Sequence, residues 1–410
     1  RCQPVTGVQT CALPICAVRH ETMPAGLFRS IWEDLEQGRA ASAYITNRSA
    51  DGGFYRVFAT IVPSGDGYLS VRTLPMLARR RDEIEAAYGR VRAVERASAD
   101  GGSTRREAAA AGHSALLAEL DALGFRDAVD FTRQALPAEV AALVAAGVDI
   151  PERPDAEGPV AVILDQMNRI ESLTSGQVAL LDECARIVAL LGRRAAEIDD
   201  LSARLGRLRT SLRDAVGDAA RAGADDGTAR SGGAEGVRER YERVDALVLE
   251  CVEELRPLAG QVGELRSDAD SLRFAIALLR LLNLAAGFFA LQILEGEDEL
   301  EANDAVGSLK ELAAALDEGA SSLSERVELF EARSELVGVG LDDVAAALAA
   351  THAPLLDLLA AVEAGATGAA DAAGGTSAVD AGEADAVRAA RALVDRKSTR
   401  LNSSHWLTSR

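Results

Sequence analysis

Residue types that commonly perform catalysis or bind metals are few and scattered in this 410-residue chain. It has four histidines and five cysteines, and none stands at the spacing of a metal site or of a nucleophile with its base. His113 lacks the acidic and proline neighbours of a phosphoacceptor helix, which favours a solvated helix position. No glycine-rich phosphate loop, nucleotide-cyclase signature or kinase nucleotide box is present. The sequence therefore predicts a protein that is not an enzyme and binds no metal.

The best-patterned segment spans 24–75, where the sequence predicts one short helix and three strands. Pro24 suits a first helical turn, and one helical face then collects four apolar side chains, which are Phe28, Ile31, Trp32 and Leu35. A turn at Gly38 leads to strands over 41–48, 53–63 and 68–73, which glycine-containing turns separate. Short turns between successive strands predict an antiparallel meander, one face of which could line a ligand pocket.

Two runs inside these strands, 47–55 and 68–73, resemble the C-terminal half of a PAS sensor domain. The resemblance extends to the aerotaxis (energy-taxis) receptor subfamily. Four sets of residues carry it, in the subfamily's order: Arg19-His20, Met23-Pro24, Phe28/Trp32 and Asn47-Arg48. The resemblance implies a sensor.

The same resemblance implies an FAD pocket, since the PAS domain of the aerotaxis subfamily holds FAD. Arg19, His20 and Asn47 match positions that contact the flavin, and Trp32 is a further candidate contact. The chain departs from the subfamily's pattern at three places, with Thr22 for an acid, Ala41 for a tryptophan and Arg56 for an aromatic residue. Each candidate also has a plainer interpretation: Asn47 as a turn cap, His20 as a surface histidine and Trp32 as a core residue.

Both ends of the chain, 1–16 and 397–410, resemble translated sequencing-adapter read-through. A PAS fold uses a five-stranded sheet, and its first two strands would precede residue 17. We therefore expect 17–75 to form only the C-terminal half of the domain and 1–16 to supply no missing strand. An intact relative would hold FAD, whereas we expect none in this fragment.

The formal charge of −20 makes the chain strongly acidic. Phosphate backbones and anionic lipids would repel it, so neither nucleic acid nor a membrane surface is an expected partner. Outside the N-terminal segment only Cys184 and Cys251 remain, which is no disulfide framework. That cysteine usage favours a reducing cytoplasm.

From about residue 76 onward the pattern is helical. Helices over 77–97, 103–122 and 124–147 are predicted to form a connector, 76–150. Heptad patterns follow, and they predict a coiled-coil helix over 158–216 and a helical hairpin or bundle over 237–363. Composition predicts a flexible linker over 217–236 and a disordered segment over 364–385. The fold class is thus α+β, a partial PAS domain followed by a mostly helical coiled coil or bundle.

Two apolar seams carry the coiled-coil prediction. The first runs through Val160, Ile163, Met167, Ile170, Thr174, Gln177, Leu181, Cys184, Val188, Leu191, Ala195 and Ile198. The second keeps three- and four-residue steps without a break through Val237, Tyr241, Val244, Val248, Cys251, Leu255, Leu258, Val262, Leu265, Ala269, Leu272, Ile276 and Leu279. Pro257 lies off this seam and should kink or interrupt its helix.

The apolar run 272–294 is long enough to span a bilayer. It contains Arg273, Arg280 and Asn283, and an arginine near the centre of a span costs about 2.5–3.5 kcal/mol on insertion scales. The heptad spacing also continues through it. We therefore predict buried bundle core here and no membrane span.

A PAS domain followed by a helical hairpin resembles the arrangement of chemoreceptors. Their kinase-docking tip carries an Asn, a Glu and an Arg near a Gly-Glu pair. With Gly296-Glu297 taken as that pair, these positions hold Gly287, Leu291 and Leu294. Coupling to a kinase by the usual contacts is therefore not expected.

The function predicted from these features is that of a cytoplasmic sensory and signal-transduction protein. Redox or energy state is the implied signal, a homodimer is the expected assembly, and the signalling partner is undefined. The alternative is a structural or scaffolding coiled-coil protein that uses its PAS part for dimerisation.

Overall fold

The computed structural model describes residues 9–10, 19–49, 52–65, 67–225, 231–296 and 299–373. Its strand-containing part consists of one helix and four strands: β1 (Gln9–Thr10), α1 (Ala25–Glu36), β2 (Ala41–Arg48), β3 (Phe54–Ser64) and β4 (Gly67–Thr73). Neighbouring strands pair antiparallel in the order β1-β4-β3-β2. The predicted helix and three-stranded meander are confirmed, and the bounds of β2, β3 and β4 differ from the predicted ones by at most one residue.

The strand β1 lies in the N-terminal segment, for which the sequence predicts no strand, and that prediction is wrong for its two residues. Gln9 lies opposite Arg72, and Thr10 lies opposite Val71. The pairing uses backbone groups alone. Because the outer edge of β4 would otherwise present unpaired N–H and C=O groups, an extended segment can pair with it whatever its side chains are.

Alternation along the strands divides the sheet into two faces. The odd-numbered residues of β2 and β3 and the even-numbered residues of β4 share one face, as the register requires. Trp32 of α1 packs on this face, with its ring centre 5.3 Å from that of Tyr68. We call it the α1 face.

Three helices follow the sheet: α2 (Ala78–Asp100), α3 (Arg105–Ala122) and α4 (Ala128–Ala145). They confirm the helices predicted over 77–97, 103–122 and 124–147. A capping box between Thr104 and Glu107 begins α3. The helix α4 packs on the second face of the sheet, where the ring centres of Phe131 and Tyr44 lie 6.2 Å apart. We call this the α4 face.

The helices α1, α2 and α3 approach one another through two glycines and one buried carboxylate. A Cβ on Gly26 would lie 2.3 Å from the carbonyl carbon of Gly112, so neither helix could approach as closely with a larger residue there. The Gly26 N–H in the first turn of α1 donates to Glu95 Oε1 of α2 at 2.7 Å. Pro24 gives α1 no side-chain cap, so Glu95 supplies an acceptor that the helix itself lacks.

Three long helices complete the described chain: α5 (Pro159–Asp225), α6 (Ser231–Glu295) and α7 (Glu299–Ala373). The chain divides into two compact units, one of residues 1–185 with 267–329 and the other of residues 186–266 with 330–410. The three long helices run through both units, and each unit has its own apolar core.

In the second unit, seven positions of the predicted second seam are buried on α6, which confirms the seam there: Val244, Val248, Cys251, Leu255, Leu258, Val262 and Leu265. Residues of α5 and α7 join this core, namely Val188, Val337, Val344, Leu355 and Leu358. In the first unit the seam residues Ala269, Leu272, Ile276 and Leu279 are likewise buried. The helix α6 continues through Pro257 without interruption. Since Leu255 and Leu258 are buried on either side of it, apolar packing offsets the missing backbone donor.

Three other helical predictions differ from the structure. Gln177 of the first seam is exposed, although Thr174 three residues before it is buried. The predicted linker over 217–236 is helical at 217–225 and 231–236, since its alanines sustain a helix despite the glycines. The predicted disordered segment begins within α7, which extends to Ala373, and the rest of it lies outside the described residues.

Two described helical stretches, Glu235–Glu295 and Ala305–Leu358, contain a window long and apolar enough to cross a membrane. Length and composition alone are weak grounds for a span, because the core helix of a soluble protein satisfies the same condition. In the first stretch, 67% of the window is buried inside the structure, and in the second 17% is. The polar residues of the first stretch have partners on α5. Arg280 donates to Glu171 Oε1 through Nε at 3.1 Å, and Asn283 Nδ2 donates to the Met167 carbonyl at 2.9 Å.

Candidate ligand-binding face of the sheet

Two of the four predicted ligand contacts, Arg19 and Asn47, come together on the α1 face. An antiparallel backbone bridge joins the two residues, so both side chains leave the sheet on the same side. The Arg19 guanidinium carbon lies 5.2 Å from the centre of the Phe28 ring of α1. Asn47 is 1% exposed, and its Oδ1 has no hydrogen-bond partner. The amide oxygen therefore caps no turn.

His20 lies on the other side of the chain from Arg19 and Asn47, because successive side chains of an extended segment point in opposite directions. Its backbone N–H donates to the Thr46 carbonyl at 3.0 Å, and its ring lies 5.7 Å from that of Phe54 on the α4 face. His20 Nδ1 is 2.8 Å from Thr22 Oγ1, so Thr22, at a position where the resemblance expects an acid, bonds the ring instead. A ligand on the α1 face would meet Arg19 and Asn47 without His20.

Trp32 lies on the α1 face, and it is partly buried against the apolar core of the first unit. Its edge-to-face contact with Tyr68 is a geometry that aromatic rings favour. The indole therefore packs as a core residue.

Ser70 and Arg72 are polar residues of the α1 face that the sequence did not single out. They are 5% and 4% exposed, and Ser70 Oγ and Arg72 Nη2 have no hydrogen-bond partner. The polar–apolar alternation of β4 is typical of a strand whose polar side faces water. The two residues could have been found only by knowing that both sides of this strand are covered.

The residues beside Arg72 in the same row of the sheet are Ala59 on β3 and Ala43 on β2. Both alanines are buried. No described carboxylate forms an ion pair with Arg72. In a chain with a formal charge of −20, this is a buried cation without a described counter-charge.

The α4 face differs because its buried polar groups satisfy one another. Glu139 of α4, which is buried, accepts from the Tyr44 hydroxyl at 2.7 Å and from the Met76 and Leu77 N–H groups at 2.7 and 3.2 Å. Burial, and after it the hydrogen bond to Glu139, raises the pKa of the Tyr44 hydroxyl far above its ordinary value. The network joins β2, α4 and the start of α2.

A small cavity lies between α1, α3, α4 and β2, with a volume of about 20 Å³. Its polar lining includes Ser30, Asp34 and Thr132. Burial raises the pKa of Asp34, and Arg39 opposes that shift. A space of this size holds about one water molecule, so it is not a flavin site.

Leu291 and Leu294 lie near the end of α6. They stand at two positions where the chemoreceptor resemblance expects kinase-docking residues. Leu291 and Leu294 are partly buried against the core of the first unit. The helix ends at Glu295, and α7 begins at Glu299. The two leucines therefore contribute to packing.

Comparison of the chain with models of known protein families found no match, and comparison with curated proteins found none. The candidate site therefore has to be interpreted from its own geometry.

Proposed function

We propose that this protein is a cytoplasmic sensory and signal-transduction protein of PAS type, in which the α1 face of the sheet receives a ligand and the long helices transmit the response. The observation that carries the proposal is the order of elements: α1, the antiparallel meander and then extended helices, with Arg19 bridged to Asn47. That order is the one which the aerotaxis resemblance implies. The arrangement is chemoreceptor-like, and redox or energy state is the proposed signal.

The unpaired polar atoms of the α1 face favour a ligand-binding role for the sheet over a purely structural one. Asn47, Ser70 and Arg72 each place a buried polar atom without a partner on it. Leaving a buried donor or acceptor unpaired costs about 1–3 kcal/mol per group, so a folded protein retains such groups where something else satisfies them. The α4 face carries no comparable set among its described residues.

FAD is the proposed cofactor in a relative whose PAS sheet is complete. This chain is expected to hold none, because the Thr22 and Ala41 positions lack the acid and the tryptophan of the subfamily's pattern. His20 also lies on the opposite side of the chain from Asn47.

The helical part supports a soluble transducer. Arg280 and Asn283 of the apolar run in α6 each donate a hydrogen bond to α5, as expected for a bundle core. The buried seam of α6 supports coiled-coil packing with α5 and α7 of the same chain, and a homodimer is proposed on the resemblance alone. Buried polar residues at Arg280 and Asn283 fix the register of such helices at some cost in stability.

The test uses a relative with a complete sheet beside the present chain. Both are mixed with FAD, unbound flavin is removed, and the visible flavin band and the amide hydrogen exchange of α5–α7 are measured in oxidised and reduced states. The relative should retain one flavin per chain, lose it on replacement of its counterpart of Asn47 by Ala, and change exchange in the long helices with redox state. Flavin retained without any change in exchange would refute signal transmission. No flavin in the relative would refute the proposed cofactor, and flavin retained by the present chain would contradict the expectation that this chain holds none.

A scaffolding protein is the second candidate, and the exposed leucines of α5 favour it. Leu173 and Leu180, one heptad apart, are exposed on this helix. Such a stripe can pair with a second chain. Replacing both leucines with Asp should then convert a dimer to a monomer in sedimentation while the circular dichroism spectrum is kept. A scaffold would also show no exchange response to any ligand of the sheet.

A further inference from the structure

Arg72 is buried, and no described carboxylate forms an ion pair with it. Removing a guanidinium from water without a partner is strongly destabilising, and arginine keeps its charge at any physiological pH. A fold that keeps Arg72 at 4% exposure therefore needs an anion near it.

Ser70 supplies a second donor on the same surface. It lies two residues before Arg72 on β4, so the two side chains project from the same face with Cα atoms about 7 Å apart. Its Oγ is also buried and without a partner. A hydroxyl can donate to the anion that a guanidinium attracts.

Arg72 has only small side chains beside it in its row of the sheet. Its row neighbours are Ala59 and Ala43, which have the smallest side chains that a strand can present apart from glycine. The planar fork of a guanidinium matches carboxylate and phosphate oxygens, which it can bind with two parallel hydrogen bonds.

We propose that Arg72 and Ser70 form an oxyanion-binding site on the α1 face of the sheet, which takes the carboxylate or phosphate group of a small ligand. The inference rests on the proposed function in one respect, since it assigns the chemical class of the ligand that this face would sense. It involves none of the residues that the aerotaxis resemblance assigns to the flavin.

The test is calorimetric titration of the dialysed full chain with sodium phosphate and, in a second arm, with sodium acetate, at constant ionic strength. One oxyanion should bind each chain, and the preferred arm identifies a phosphate or a carboxylate ligand. Arg72→Gln should weaken binding about 10- to 150-fold, because it removes a hydrogen bond to a charged group. Ser70→Ala should weaken it less, since its donor is neutral.

Arg56→Gln is the matched control. Arg56 lies on β3, on the α4 face, where it is paired with Glu85 at 2.8 Å, so its loss should leave anion affinity unchanged. Circular dichroism verifies the folding of each variant. If Arg72→Gln does not fold, Arg72→Lys and Ser70→Ala decide the matter, and both should bind more weakly than the parent chain.

Failure to bind either anion, or equal binding by the parent chain and the Arg72 variants, would overturn the site. That result would leave the proposed sensor function standing with an uncharged ligand. Conversely, anion binding that leaves amide exchange in α5–α7 unchanged would uphold the site and count against the transducer.

Discussion

Leu258 gives the sharpest test of the packing of α6. It is 1% exposed and lies in the core of the second unit, whereas Leu249 on the same helix is 40% exposed. Leu258→Ala removes buried methyl groups and leaves a cavity, which costs about 2–5 kcal/mol for a fully buried leucine. Leu249→Ala should cost about 1 kcal/mol or less, because its side chain keeps much of its exposure to water.

The assay is urea unfolding followed by circular dichroism, with the dependence on denaturant compared between variants. The midpoint should fall for Leu258→Ala and change little for Leu249→Ala, while the slope stays constant. Leu258→Asp, which buries an unpaired charge, should lower helicity outright. Equal effects of the two alanine substitutions would refute the buried seam and, with it, the coiled-coil proposal.

Three further predictions concern the sheet, a surface helix and the output end. Tyr44→Phe should lower stability by about 1.5–3 kcal/mol in urea unfolding, since Glu139 loses a donor, whereas Tyr55→Phe should have little effect. An arginine hydrogen bond lowers the pKa of Glu119 below its ordinary value of 4.5, so its contribution to stability is lost as the pH falls through the folded value. Glu119→Gln should therefore flatten the acid side of the stability–pH curve. Reconstitution with a chemotaxis kinase and its coupling protein should show no stimulation, and stimulation abolished by Leu291→Ala would contradict the packing role of that leucine.

The strand part of the fold could be predicted closely because its signals are local. Glycine-containing turns between runs of strand-forming residues define β2, β3 and β4 within one residue of their bounds. The linker over 217–236 could not be read in the same way. Its glycines suggest flexibility, but alanine-rich neighbours extend helices into it from both sides.

The candidate site was predictable only in part. A pattern of residues gave Arg19, His20, Trp32 and Asn47, but not the side of the chain that each occupies. The backbone bridge between Arg19 and Asn47 fixes the face to which these two side chains point. It also places the next residue, His20, on the α4 face. Ser70 and Arg72 were missed because the alternation along β4 predicts that its polar side faces water, whereas both residues are buried.

The contact of Gly26 with Glu95 constrains how α1 can respond to a ligand. If α1 moved away from α2, the Gly26 N–H in its first turn would lose its acceptor, and the buried Glu95 carboxylate would keep only its contact with Arg92. Movement of α1 alone therefore costs free energy. A ligand that displaced Phe28 would move α1, α2 and α3 together. A larger residue at Gly26 would overlap the backbone of α3, and one at Gly112 would overlap Glu95 of α2, so either substitution would force these helices apart.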